Sequence, residues 1–269
     1  MDETILRAFG WVALGCGFTW LMTTAGSAMV FFFRKDSETT HRIFLGFAAG
    51  VMIAASVWSL LIPAIEQAEE AGQIGWIPAA GGFLLGVAFL MLLDTFLPHL
   101  HAEEAEPEGA RSSWKRTTLL VSAVTLHNIP EGMSVGLVFA MAAQATGADA
   151  TAYLGMAFAL AIGMGLQNFP EGAAISLPLM REGLSRTKAF VLDSLSGIVE
   201  PIFGIAVVLV SAQITPFMPW MLAFVAGAMV YVVVEELIPE AHLGTHSNIG
   251  TLGVIAGFVI MMVLDVALG

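Results

Sequence analysis

Eight apolar stretches, parted by charged or Gly/Pro-rich breaks, leave this chain few ways to fold. They run at about 8–33, 43–65, 76–97, 117–142, 151–179, 188–211, 217–239 and 249–268. Crossing the hydrocarbon core of a bilayer takes roughly 20 helical residues. Lipid offers no water to the backbone, so every N–H and C=O must be satisfied inside the protein, and runs of this length form helices. The pattern predicts an all-α polytopic membrane protein with eight transmembrane helices in a single domain over residues 1–269. Only 12% of the residues are charged, against about 25% in a soluble domain. The segment ahead of the first run is acidic, Met1-Asp2-Glu3, and no small-residue cleavage site follows, so that run reads as a retained span.

The cations set the orientation. Of the ten Lys and Arg residues, nine sit in three loops: Arg34, Lys35 and Arg42; Arg111, Lys115 and Arg116; Arg181, Arg186 and Lys188. By the positive-inside rule these loops face the cytoplasm, the loop over 98–116 among them, and both termini lie outside a cell (inner) membrane crossed many times. The formal net charge of −12 excludes nucleic acid as an obvious partner and suits a cation. Cys16 is the lone cysteine, which excludes an internal disulfide and a thiolate zinc cluster.

An internal repeat organises the spans. Phe47-Ala48-Ala49-Gly50-Val51-Met52 resembles Phe224-Val225-Ala226-Gly227-Ala228-Met229, and both runs end near a proline, Pro63 and Pro239. Gly82, Gly86, Met91 and Asp94 in the third run recur as Gly253, Gly257, Met262 and Asp265, at an offset of 171. Runs one to three therefore repeat as six to eight around four and five. A shift of five spans turns the second copy upside down, an inverted repeat of the kind found in transporters.

Two runs carry groups that lipid should exclude. The fourth holds His127-Asn128-Ile129-Pro130-Glu131-Gly132 and the fifth Gln167-Asn168-Phe169-Pro170-Glu171-Gly172. A carboxylate at mid-membrane costs on the order of 3 kcal/mol even on mild insertion scales. Proline there removes a ladder hydrogen bond, freeing the carbonyls of Leu126 and Leu166. Such defects are tolerated beside protein or a wet cavity. On a helix His127 and Glu131 share a face, with Asn128 on its flank, and Gln167, Asn168 and Glu171 repeat the geometry. One imidazole, two carboxylates and three amides then meet between adjacent spans. Imidazole argues against magnesium and calcium, and its pairing with carboxylate suits Zn²⁺, Fe²⁺, Mn²⁺ or Co²⁺. Amide ligands without thiolate predict the modest affinity that a departing ion needs. The plain alternative is a polar network that locks two helices together, which a single motif would fit better than a doubled one.

Other polar residues join them. Glu200-Pro201 in the sixth run repeats the acid-beside-proline pattern and supplies an acid from a third helix. Met52 offers a thioether, although packing is the default for any methionine. Ser59 is a wall or packing residue. Asp94, Glu235 and Glu236 stand toward the cytoplasmic ends of their spans, as an exit site or as interfacial charges. His99 and His101 open an acidic loop that is either simply solvated or a weak collecting site for metal. Asp193 and Asp265 read as structural. The rival functions are an intramembrane metalloenzyme, which lacks its usual His-Glu-x-x-His pair here, and a sensor that binds metal without moving it.

At these motifs the chain resembles the ZIP (Zrt-, Irt-like) family of divalent metal transporters, in its bacterial GufA-like branch. The resemblance spans nearly the whole chain and implies uptake of transition metals into the cytoplasm, chiefly zinc, with iron, manganese, cobalt or cadmium as further substrates. It implies a binuclear centre on His127, Asn128, Glu131, Gln167, Asn168, Glu171 and Glu200, with Met52 touching one ion and Glu131 and Glu171 bridging. It puts Ser59 near the outer entrance and Asp94, Glu235 and Glu236 near the inner exit. It further implies a homodimer, and alternating access in which spans one, four, five and six move against two, three, seven and eight. The chain departs from relatives at Gln167, where some have His, at Asn168, where some have Asp, and at Glu235, where some have His.

Overall fold

The computed structural model describes residues 3–32, 38–100, 115–242 and 248–268. Among these the regular structure is entirely helical. Seven helical rods are long and apolar enough to cross a membrane: span 1, Thr4–Phe31; span 2, Glu38–Glu70; span 3, Trp76–Phe96; span 5, Ala150–Arg181; span 6, Arg186–Ser211; span 7, Thr215–His242; and span 8, Ile249–Leu268. Span 4, Arg116–Gln144, is the eighth. Its His-Asn-x-Pro-Glu motif makes it the least apolar, and it is tolerated because most of its residues are buried among the others. Spans 3 and 8 turn large apolar side chains outward, Leu84, Leu85 and Leu92 on one, Leu252, Ile255 and Val263 on the other. That is the surface a bilayer would cover.

Prolines shape the rods. Pro63 has no N–H to give the carbonyl of Ser59, and the ladder slips to the wider i→i+5 pattern over Ser56–Leu61, closed by Ile62 N–H on Val57 O. Span 7 does the same ahead of Pro239: Val233–Leu237 is a π turn closed by Ile238 N–H on Val233 O. The two π turns occupy corresponding places in the two copies of the repeat. Span 6, expected as one run over 188–211, is broken at Gly197-Ile198 into helices Arg186–Ser196 and Val199–Ile214. Pro201 explains the break, since it cannot bond the carbonyl of Gly197. The first turn after it carries Glu200.

The packing has the symmetry of the repeat. Span 2 lies along span 8, and span 3 along span 7, so the exchange of copies carries one pair onto the other. Both pairs close on glycine. A Cβ on Gly50 would overlap the carbonyl of Val254 and one on Gly257 that of Phe47; the counterparts are Gly227 on Phe83 and Gly86 on Phe224. Span 1 lies against span 5 as span 6 lies against span 4. Here the closing residues are the last glycines of the two motifs: Gly172 meets the backbone of Thr23 and Ser27, and Gly132 the backbone of Glu200. Small residues that admit a neighbouring backbone are how membrane helices pack tightly. Each motif thus ends in glycine because another helix crosses there.

Candidate metal centre

Glycine crossings set span 5 against span 1 and span 4 against span 6, and side-chain hydrogen bonds join spans 4, 5 and 6 at the doubled motif. His127, Asn128 and Glu131 from span 4, Gln167, Asn168 and Glu171 from span 5, Glu200 from span 6 and Met52 from span 2 are all buried, none more than 7% exposed. Gln167 Nε2 donates to Glu131 Oε1 at 2.9 Å, tying the two motifs together, and also to Asn168 Oδ1. Asn168 Nδ2 donates to both oxygens of Glu200 at 2.9 Å and to the carbonyl of Thr19 at 3.4 Å. Thr23 Oγ1 donates to Glu200 Oε1 at 3.3 Å. His127 Nε2 pairs with Glu236 Oε1 of span 7.

What these bonds leave over is more telling. Asn128 Nδ2, Glu131 Oε2, Gln167 Oε1 and Glu171 Oε2 are buried without a hydrogen-bond partner, and all four belong to the doubled motif. Leaving a buried polar atom unsatisfied costs about 1–3 kcal/mol, more for a charged group. A network built only to lock helices would close these atoms on each other. Three of them are oxygens, the donors a divalent cation takes. Among the described residues no three His, Cys, Asp or Glu side chains converge as a finished ligand set. The acids are held by amides and the imidazole by Glu236, so an ion would have to displace internal partners to bind.

Cavities lie toward both ends of the spans, and the inner one is lined by residues of the centre. At the Lys/Arg-rich end, a cavity of about 30 Å³ is lined by His127, Glu171, Glu236 and Glu240, with Leu45 and Leu237 among its apolar walls. That is room for about one water. At the opposite end a cavity of about 210 Å³ is lined by Trp58, Glu66, Tyr153, Met156 and Asp265. Ser59, fully buried, donates to Asp265 Oδ1 at 2.6 Å beside it, while Asp265 Oδ2 is buried without a hydrogen-bond partner.

The residues read as an exit divide. Glu236 belongs to the centre itself. Asp94 lies apart from the cavity, paired with His99 Nε2 at 2.9 Å and accepting from Tyr231 OH at 3.0 Å. Glu235 is exposed and lines neither cavity. His101 falls outside the described residues. Sequence reasoning missed three things: the union of Glu236 with His127, the hydroxyls of Thr19 and Thr23 around Glu200, and the place of Asp265 at the outer cavity. The first had no signal, because spans 4 and 7 are far apart in sequence. The last had one, since Asp265 is the repeat counterpart of Asp94.

Comparisons with known proteins point the same way. The family profile described as ZIP Zinc transporter matches residues 108–265. The chain is 38% identical to the Zinc transporter ZIP11 of Homo sapiens, over 95% of this chain and 96% of that protein. It is 37% identical to the Zinc transporter GufA of Myxococcus xanthus, over 84% of this chain and 86% of that one. It is also 37% identical to the Zinc transporter ZIPB of Bordetella bronchiseptica, over 97% of this chain and 82% of its length.

Proposed function

Because the chain belongs to the ZIP family of zinc transporters, we propose that it imports a divalent transition metal, zinc first, from outside the cell into the cytoplasm. Family membership makes it a transporter of divalent metal and not an enzyme, so the metalloenzyme reading falls away. The observation that carries the proposal is the set of four unpartnered buried atoms shared between the two motifs. The three oxygens among them are the valences that an incoming ion fills.

The ion enters through the cavity at Glu66 and Asp265 and passes Ser59 and Met52. At the centre it takes Glu131 and Glu171, with the amide oxygen of Gln167, while His127 leaves Glu236 to become its nitrogen donor. Asn168 takes a different part. Its NH₂ group already satisfies both oxygens of Glu200, which favours a single ion on the His127 side over a binuclear centre. Glu236, freed by His127, is the next carboxylate on the way inward, at the small cavity it shares with Glu171. Protonation of the glutamates would assist release.

Alternating access follows the packing. The glycine contacts that lock backbone to backbone fall within two groups, spans 2, 3, 7 and 8 and spans 1, 4, 5 and 6. Between the groups the glycine contact is softer: Gly163 of span 5 meets the flexible side chain of Met261. This supports two bodies, each stiff, that rock across a side-chain interface. Zinc uptake by proteoliposomes holding the purified chain tests the reading. Uptake should fall at least about tenfold in His127→Ala and in Glu171→Ala, the usual scale for losing a ligand-supporting group. Unchanged uptake in both would refute it.

A further inference from the structure

Beyond the centre, the inner cavity reaches an acid, Glu240, that neither motif contains. Glu240 lines the cavity together with His127, Glu171 and Glu236. It stands four residues after Glu236, one turn further toward the Lys/Arg-rich end. On its far side is His41, which is 7% exposed and lies in the first turn of the span 2 helix Glu38–Ala55. Leu45, one turn above His41 on the same face, is itself a wall of the cavity. The imidazole and the carboxylate therefore bracket the inner end of the ion's path, one from span 2 and the other from span 7.

Their spacing is close to what a bridging ion requires. His41 Nε2 and Glu240 Oε2 are 4.0 Å apart, with side chains 7% and 12% exposed. That is too long for a hydrogen bond. Zinc holds imidazole nitrogen and carboxylate oxygen at about 2.0–2.2 Å each in a tetrahedral shell, which puts two such donors about 3.4 Å apart. A divalent cation seats between these two atoms once they close by roughly 0.6 Å. Behind the pair, inside the same cavity, the unpartnered Glu171 Oε2 gives the ion its previous foothold. Arg42, the neighbouring cation, is drawn off by Glu38.

We propose that His41 and Glu240 form a second, weaker divalent-cation site, the last protein-held station before the cytoplasm. The direction of travel rests on the transport reading above; the site itself does not. Two protein donors completed by water bind more loosely than the centre, as a release station should.

Equilibrium dialysis of radioactive zinc against the detergent-purified full chain tests it. In the Glu131→Gln/Glu171→Gln background the centre is disabled, and a single weakly held ion is expected to remain. Adding His41→Ala or Glu240→Gln should weaken that ion at least about tenfold. His41→Cys, which restores a zinc donor, should recover it and so distinguishes a lost ligand from a damaged fold. The site is overturned if the background binds no ion, or if both added changes leave the remaining ion untouched. Uptake by the unaltered chain is read separately. A His41-dependent ion without uptake upholds the site and removes the transport reading. Uptake without a His41-dependent ion does the reverse.

Discussion

Asn168 concentrates the chemistry that sets this centre apart. An aspartate there would face Glu200 across the same gap, two carboxylates needing an ion between them. The amide instead donates to both Glu200 oxygens and needs none. Asn168→Asp should therefore destabilise the protein without metal by about 1–3 kcal/mol, the cost of stranding a buried acceptor. It should also widen the gain in melting temperature when zinc is added. Thermal unfolding in detergent with and without zinc checks both, and an unchanged difference between the two curves would refute this role. The residues of the doubled motif were legible in sequence because an acid and a proline in lipid demand compensation. Glu236 was read only as an exit residue, and its pairing with His127 was out of reach. It joins the centre through the fold, from the π turn of span 7. Its neighbour Glu235 is exposed.

At the level of elements, the π turns and glycine crossings make the most specific claims. Pro63 and Pro239 each force an i→i+5 turn at the edge of the path, next to Ser59 and Glu236 respectively. Pro63→Ala restores the missing N–H and lets an ordinary α turn form, which rotates Ser59 away from Asp265. Zinc uptake should then drop several-fold while the amount of folded protein in the membrane is unchanged. Equal uptake would mean that the turn does not aim these side chains. The crossings differ in being structural. Gly132→Ala sets a methyl group against the backbone of Glu200, where nothing flexible can yield, whereas Gly10 has open space around it. Overpacking of this kind costs about 1–3 kcal/mol, so Gly132→Ala should lower the melting temperature by several degrees and Gly10→Ala should not. The broken sixth span was not foreseen, although Gly197 and Pro201 both mark the interruption.

For the whole molecule, the inverted repeat was visible as small residues recurring at fixed offsets, and its packing partners became clear only in three dimensions. Sequence places Gly50 and Gly227 in corresponding positions; the fold puts them on opposite pairs, span 2 with span 8 and span 7 with span 3. The two groups proposed to rock meet at side chains such as Met261 over Gly163. A bulky Gly163→Phe substitution should jam that interface. It predicts zinc binding close to that of the unaltered chain together with uptake reduced at least about tenfold, and uptake at the normal rate would argue against rocking bodies.

Transport through this centre depends most on the two motifs holding the same ion. X-ray absorption at the zinc edge of the loaded protein measures this. Nitrogen and oxygen donors at about 2.0–2.1 Å, with imidazole scattering that disappears in His127→Ala, are the predicted result. A ligand shell that is the same in His127→Ala and in Glu171→Ala as in the unaltered chain would contradict it.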